Sequence, residues 1–173
     1  MTSATSTSLL ELIDRADERS LAAAGLACLD RCLPVLAPER TEVLRPVWAA
    51  VARGDGGAWS EAVATARTEL DGEGDGADET AALVRTMLDG APAEWAEAAL
   101  RSWAGRCSEA ALAVHGRYDA TDGGPLHAGE LRRQQAVLES AAHGPTGLRR
   151  ARELSIEGGR VLRAVVSRRA RTA

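Results

Sequence analysis

Cys28 and Cys32 stand one helical turn apart, so their thiols share a face and have the spacing of a chelating pair. A zinc site needs two further ligands, and Cys107, His115, His127 and His143 show no paired spacing to supply them. The three cysteines therefore read as buried thiols that behave as small hydrophobes. His115 and Tyr118 are expected near the end of a long helix, and His127 just after the Gly123-Gly124-Pro125 loop. A bundle that gathered these three at one end would hold the nearest approach to an acid/base pocket in the chain. The competing reading of His115 is a surface imidazole whose charge meets a helix C-terminus. Asp71, Glu73, Asp75 and Gly76 match the opening of a calcium loop, but the twelfth position is Ala82 where a bidentate Glu is needed. The acidic loop thus reads as solvated, and no catalytic residue, metal or cofactor is predicted.

One further set of side chains has the makings of a binding surface. Arg149, Arg150, Arg152, Arg160, Arg163, Arg168 and Arg169, with Arg171 beyond them, crowd the last predicted helix. Residues 1–130 carry 22 acidic groups against 11 Arg, whereas residues 131–173 carry 3 against 10. Such polarity suits an anionic partner, or a basic end that packs across the acidic body of its own domain. Self-neutralisation is the stronger of these expectations when set against nucleic acid, because no aromatic residue lies within the basic segment to stack on bases. The absence of Lys, Asn and Phe fits GC-rich coding, so the abundance of Arg is not by itself a sign of phosphate recognition.

The elements that must position these groups are helical throughout. From Ser8 to Arg171 apolar residues recur three and four apart, broken where Gly, Pro or Asp cluster. The expected fold is all-α, a single-domain orthogonal bundle of about seven to eight helices over residues 8–170, with a disordered N-terminus over residues 1–7. Its 173 residues are enough to bury a core without disulfides or metal. No stretch has membrane-spanning length and Met1 to Ser8 lacks a basic n-region, so a cytoplasmic protein with no membrane partner is expected.

Ser8 and Glu11 form a capping-box pattern that predicts a helix start, and Ser20 is read as a cap for a second segment or as part of one long helix. Leu21 to Leu36 is apolar almost all round apart from Asp30 and Arg31, the mark of a central helix. Pro34 and Pro38 are expected to end it, Pro38-Glu39 to open the next, and Pro46 to kink or split that one before Arg53. Gly54 to Gly57 reads as a turn, followed by a stripe of Trp59, Val63, Ala66 and Leu70.

Beyond the loop 71–79 comes a short helix with Leu83, Val84, Met87 and Leu88, ended by Gly90. Pro92 is expected to open the longest element, with Trp95, Ala99, Trp103, Cys107, Ala110 and Val114 on one face down to Tyr118. A further helix buries Leu131, Leu138 and Ala142, and Gly144-Pro145 separates it from the last, whose seam is Ala151, Leu154, Gly158, Val161 and Val165. Two adjacent glycines inside a helix sacrifice about 2 kcal/mol relative to alanines. Gly158-Gly159 therefore predicts either a close helix crossing or a break, and a crossing can serve a homodimer as readily as the core. The four Trp residues are expected to anchor the core in place of Phe, with Trp48 or Trp59 placed to line a pocket or interface.

Residues 27–36 (Ala-Cys-Leu-Asp-Arg-Cys-Leu-Pro-Val-Leu), then Arg45-Pro46 and the run from Trp48 to Asp55, resemble small all-helical proteins assigned to immunity roles in bacterial polymorphic-toxin systems. The resemblance spans residues 21–55, about a fifth of the chain. It implies a binder that neutralises another protein rather than a catalyst, and it transfers no site residue. The expected function is accordingly a non-catalytic protein-binding module. The alternative is a small helical enzyme or ligand-binding accessory protein of a metabolite pathway, using His115, Tyr118 and His127.

Overall fold

The computed structural model describes residues 2–172, with side chains described from Leu9 to Thr172. Eight helices and no strand occur among them: α1 (Thr2–Arg15), α2 (Glu18–Leu36), α3 (Arg45–Arg53), α4 (Gly56–Glu69), α5 (Glu79–Asp89), α6 (Glu97–Gly116), α7 (Pro125–Ala141) and α8 (Gly144–Thr172). The all-α single domain expected from periodicity is what forms. At the N-terminus α1 begins at Thr2 rather than at Ser8, so its backbone takes in residues 2–7, where disorder was expected. Asp17, not Ser20, caps α2, its carboxylate accepting from the Ser20 N–H at 2.8 Å.

α2 is the central helix, packed by α6, α8, α7, α5 and α3. Leu21, Ala22, Ala23, Ala27 and Cys32 are all sealed from solvent, as the nearly unbroken apolar stretch requires. Pro34 does not end it, since α2 runs on to Leu36. Its missing N–H leaves the Asp30 carbonyl without its usual helical partner. Pro38 does not open a helix either; turns occupy the segment to Leu44, and Pro46 sits in the first turn of α3 instead of kinking it. Gly54 closes α3 in the left-handed conformation, and Asp55 immediately caps α4, so the expected four-residue turn is shorter than its glycines suggest.

Trp59, Trp95 and Trp103 form a second nucleus. Trp59 meets Trp95 and Trp103 edge-on at centroid distances of 5.6 and 5.7 Å, and its indole N–H donates to the Pro92 carbonyl at 2.7 Å. Trp95 belongs to the linker before α6, because the helix starts at Glu97 and not at Pro92. Trp103 lies on Gly25 of α2, and its N–H donates to Met87 O at 2.9 Å.

The longest element is α8, at 29 residues, and it pairs with α7 across the short Ala142-His143 connection. Ala142 is exposed, so the buried face of α7 is Glu130, Gln134, Val137, Leu138 and Ala141. The seam of α8 is likewise shifted from expectation: Leu148, Ala151, Ser155, Gly158, Gly159 and Leu162 are buried, while Leu154 and Val165 are half-buried and Val161 is exposed.

Gly158-Gly159 mark a close crossing with α2 and do not break the helix. A Cβ at Gly158 would sit 2.5 Å from Arg31 Cδ and 3.0 Å from Arg133 Cδ, whereas one at Gly159 would make ordinary contact, 3.7 Å from Asp30 O. This seam is occupied by the core and so is withdrawn from a second copy. Gly158→Ala is expected to destabilise the fold by about 1–3 kcal/mol from overpacking. Gly159→Ala is expected to be neutral or to stabilise by up to about 1 kcal/mol through helix propensity. Urea unfolding of the two variants checks this, and equal effects would contradict the crossing.

Candidate functional site

Beneath the crossing of α2 and α8 lies a buried polar network, built on a charge that an apolar helix cannot carry alone. Arg31 and Glu130 are both fully buried, and the guanidinium grips the carboxylate through Nε and Nη2, each at 2.7 Å. Nη1 of Arg31 also donates to Ser155 Oγ at 3.4 Å and Nη2 to Cys28 Sγ at 3.5 Å. Gln134 Nε2 donates to Glu130 Oε1 at 3.0 Å and to the Ser108 carbonyl at 3.2 Å, and Ser108 Oγ donates back to Gln134 Oε1. Four helices, α2, α6, α7 and α8, meet on this one set of bonds. Burial alone would raise Glu130, but the Arg31 charge and its hydrogen bonds outweigh it and hold the carboxyl below its ordinary value. For Arg31 burial is again the largest single effect and disfavours the charge, but the neighbouring groups, Glu130 foremost through its charge and hydrogen bonds, together outweigh it, so the guanidinium stays charged.

His115 joins this network instead of lying at a surface helix end. It is 1% exposed, its Nδ1 lies 2.8 Å from Ala111 O, and its Nε2 faces Glu130 Oε2 at 3.5 Å. Burial, the largest effect, lowers its pKa against the opposing pull of Glu130, so the neutral ring is favoured with Nδ1–H donating to Ala111. Nε2 then has no hydrogen-bond partner among the described residues. Tyr118 is half-buried on a surface depression that Asp119, Pro125, Arg168 and Arg169 also line, with the Arg169 guanidinium 4.9 Å from its ring centroid. His127 follows Asp119's cap on α7, in which the two carboxylate oxygens accept from the Leu126 and His127 N–H groups at 2.9 Å. The three candidate acid/base residues thus face different surroundings: one in the core, one on a depression, one in a helix cap.

The thiols are buried as expected. Burial pushes Cys28 up to about 12 against the opposing charge of Arg31, and raises Cys32 and Cys107 too, which keeps all three protonated near neutral pH. No group of three or more His, Cys, Asp or Glu is arranged to hold a metal among the described residues. The acidic loop is held by Arg85, which donates to the Leu70 and Glu73 carbonyls at 3.0 and 2.7 Å.

Above the network the structure opens a cleft of about 320 Å³ between the end of α2, the segment 41–48 and α8. Its walls include Asp30, Glu42, Arg45, Trp48, Arg152, Arg160 and Arg163, with Ser155 and Gly159 from the crossing. The Trp48 N–H donates to Asp30 Oδ2 at 2.9 Å, and burial, the largest effect, raises the Asp30 pKa against this bond and the charges of Arg31 and Arg152. Sequence reasoning missed Arg31, Glu130 and Asp30. The available signal was a charged pair in an otherwise apolar helix, but the partner of Arg31 lies 99 residues away, beyond any local spacing rule.

The basic residues of α8 divide in two. Arg152 and Arg163 are half-buried in the cleft, while Arg149, Arg150, Arg160, Arg168 and Arg169 are exposed. The acidic body does not neutralise them: among the described residues the ion pair made by these arginines is Arg150 with Glu153, at 3.6 Å within α8 itself. Self-complementation is therefore not realised by direct pairing. Among the described residues no helix is long and apolar enough to cross a membrane. Comparison with protein-family models, curated proteins and solved structures returns no match for the chain.

Proposed function

We propose that this chain is a non-catalytic helical protein-binding module, in its specific form an immunity-type inhibitor, that receives an acidic surface of another protein on α8. The observation that carries the reading is the unneutralised basic surface of α8, where Arg149, Arg150, Arg160, Arg168 and Arg169 stand exposed on a body of opposite charge. Surface charge of this kind steers an oppositely charged partner and sets its association rate more than its final affinity. The resemblance of residues 21–55 to immunity proteins points the same way. The removal of His115 into the core leaves the acid/base alternative without a solvent-facing imidazole at that position.

The test is a pull-down from the native host, with identified partners then purified and recombined. Wild-type chain is expected to retain a stoichiometric protein partner and, where that partner is an enzyme, to stop its activity. Reversing Arg149, Arg150, Arg168 and Arg169 to Glu is expected to slow association at low salt by about tenfold or more. Recovery of the chain alone, or undiminished binding by the reversed variant, would overturn the reading.

A further inference from the structure

We infer that the cleft between the end of α2, the segment 41–48 and α8 is a binding site for a small phosphate monoester. Four guanidinium groups, of Arg45, Arg152, Arg160 and Arg163, line it against two carboxylates, of Asp30 and Glu42. The surplus of two positive charges matches the charge of about −1.5 to −2 that a phosphate monoester carries at neutral pH. Neither carboxylate satisfies the set from within. Asp30 accepts from the Trp48 indole at 2.9 Å and feels the Arg152 charge without a direct ion pair to it, and Glu42 reaches Arg45 at 3.7 Å with both side chains largely exposed, a pairing that solvent screens and a ligand displaces. Arg152, Arg160 and Arg163 have no ion pair among the described residues.

Guanidinium groups left without a counter-charge are what an incoming oxyanion pairs, because charge-assisted hydrogen bonds to phosphate are strong and Arg offers them in bidentate form. The volume of about 320 Å³ sits at the lower end of small-ligand sites, so it suits a compact ester and not a long chain. The floor is rigid: Ser155 donates to Ala151 O at 2.9 Å and accepts from Arg31, which ties the cleft to the buried ion pair. Arg152, Arg160 and Arg163 are one helix's side chains, and this floor sets their register against Arg45 of α3.

Isothermal titration at fixed ionic strength, with inorganic phosphate and ribose 5-phosphate as probes, tests the inference. Saturable binding at one site is expected, weakened at least tenfold by R160Q/R163Q and changed less than twofold by R53Q/R132Q. The second pair removes equal charge at exposed positions away from the cleft. Thermal unfolding of each variant verifies that the fold is retained. Absence of saturable binding by both probes would overturn the proposal, as would equal weakening by the two variant pairs. A short DNA duplex serves as the third arm: if it binds tightly while neither free probe saturates, the charge belongs to a macromolecular surface and the small-ligand site is refuted.

Discussion

Replacing Arg31 by Met is expected to cost the fold about 3–5 kcal/mol, because it leaves the Glu130 carboxylate buried without its counter-charge. That is a large share of the stability of a domain this size, typically about 5–15 kcal/mol in total. Met approximates the length of the Arg stem, so the loss is mainly electrostatic. The companion experiment is the double replacement Arg31→Met with Glu130→Leu, which removes both charges. It is expected to recover most of the loss, since apolar substitutes for a buried pair are often as stable as the pair itself.

The pH dependence of the single variant has a definite sign. In the wild type Glu130 is held below its ordinary carboxyl value, so its contribution is present above that value and is lost as pH falls through the lowered one. His115 acts in the same direction, for its pKa is depressed and the unfolded chain binds the proton first, below the ordinary imidazole value. In Arg31→Met, burial without the counter-charge raises Glu130, which then takes up a proton and relieves part of the penalty as pH falls. The difference in stability between wild type and variant is therefore expected to shrink from pH 8 toward pH 5. Urea unfolding across that range measures it, and a difference that is small or constant with pH would refute the account.

Trp103→Ala is expected to destabilise by about 3–5 kcal/mol, the range for truncating a large buried aromatic side chain. The ring fills the space over Gly25, meets Trp59 edge-on, and commits its N–H to Met87 O. Gly25→Ala alone is also expected to destabilise, because its methyl group would overlap the indole. In the Trp103→Ala background the same methyl has room, so the two effects are expected to be less than additive by about 1 kcal/mol or more. A double-mutant cycle by urea unfolding measures the coupling. Strict additivity would show that Gly25 and Trp103 do not share that space.

Local rules worked where the deciding partner was itself local. The stripe of Trp59, Val63, Ala66 and Leu70 is fully buried, as its spacing requires, whereas Asp55 and Asp78, read only as turn and loop residues, cap the helices that follow them. They failed where two readings had equal local support. Pro46 both breaks and opens helices, and α3 opens at Arg45 because the turns before it leave no preceding helix to kink. Trp95 fitted the period of α6 yet lies outside it, packed on Trp59 from the preceding linker. Val161 held the expected seam position, but the crossing of α2 at Gly158-Gly159 rotates the buried face toward Ser155 and Leu162.

The sequence by itself determined that this chain is helical throughout, that α2 is its centre, that its cysteines are buried and that its C-terminal helix is strongly basic. Each of these follows from composition or from spacing of three and four residues, which one helix already contains. The tertiary structure alone decided that Arg31 closes on Glu130, that His115 belongs to the core, and that Arg45 of α3 faces Arg152, Arg160 and Arg163 of α8 across one cleft. Those groupings join residues up to more than a hundred positions apart. Their geometry is set by how closely two helix backbones approach, a property no periodicity along a single chain encodes.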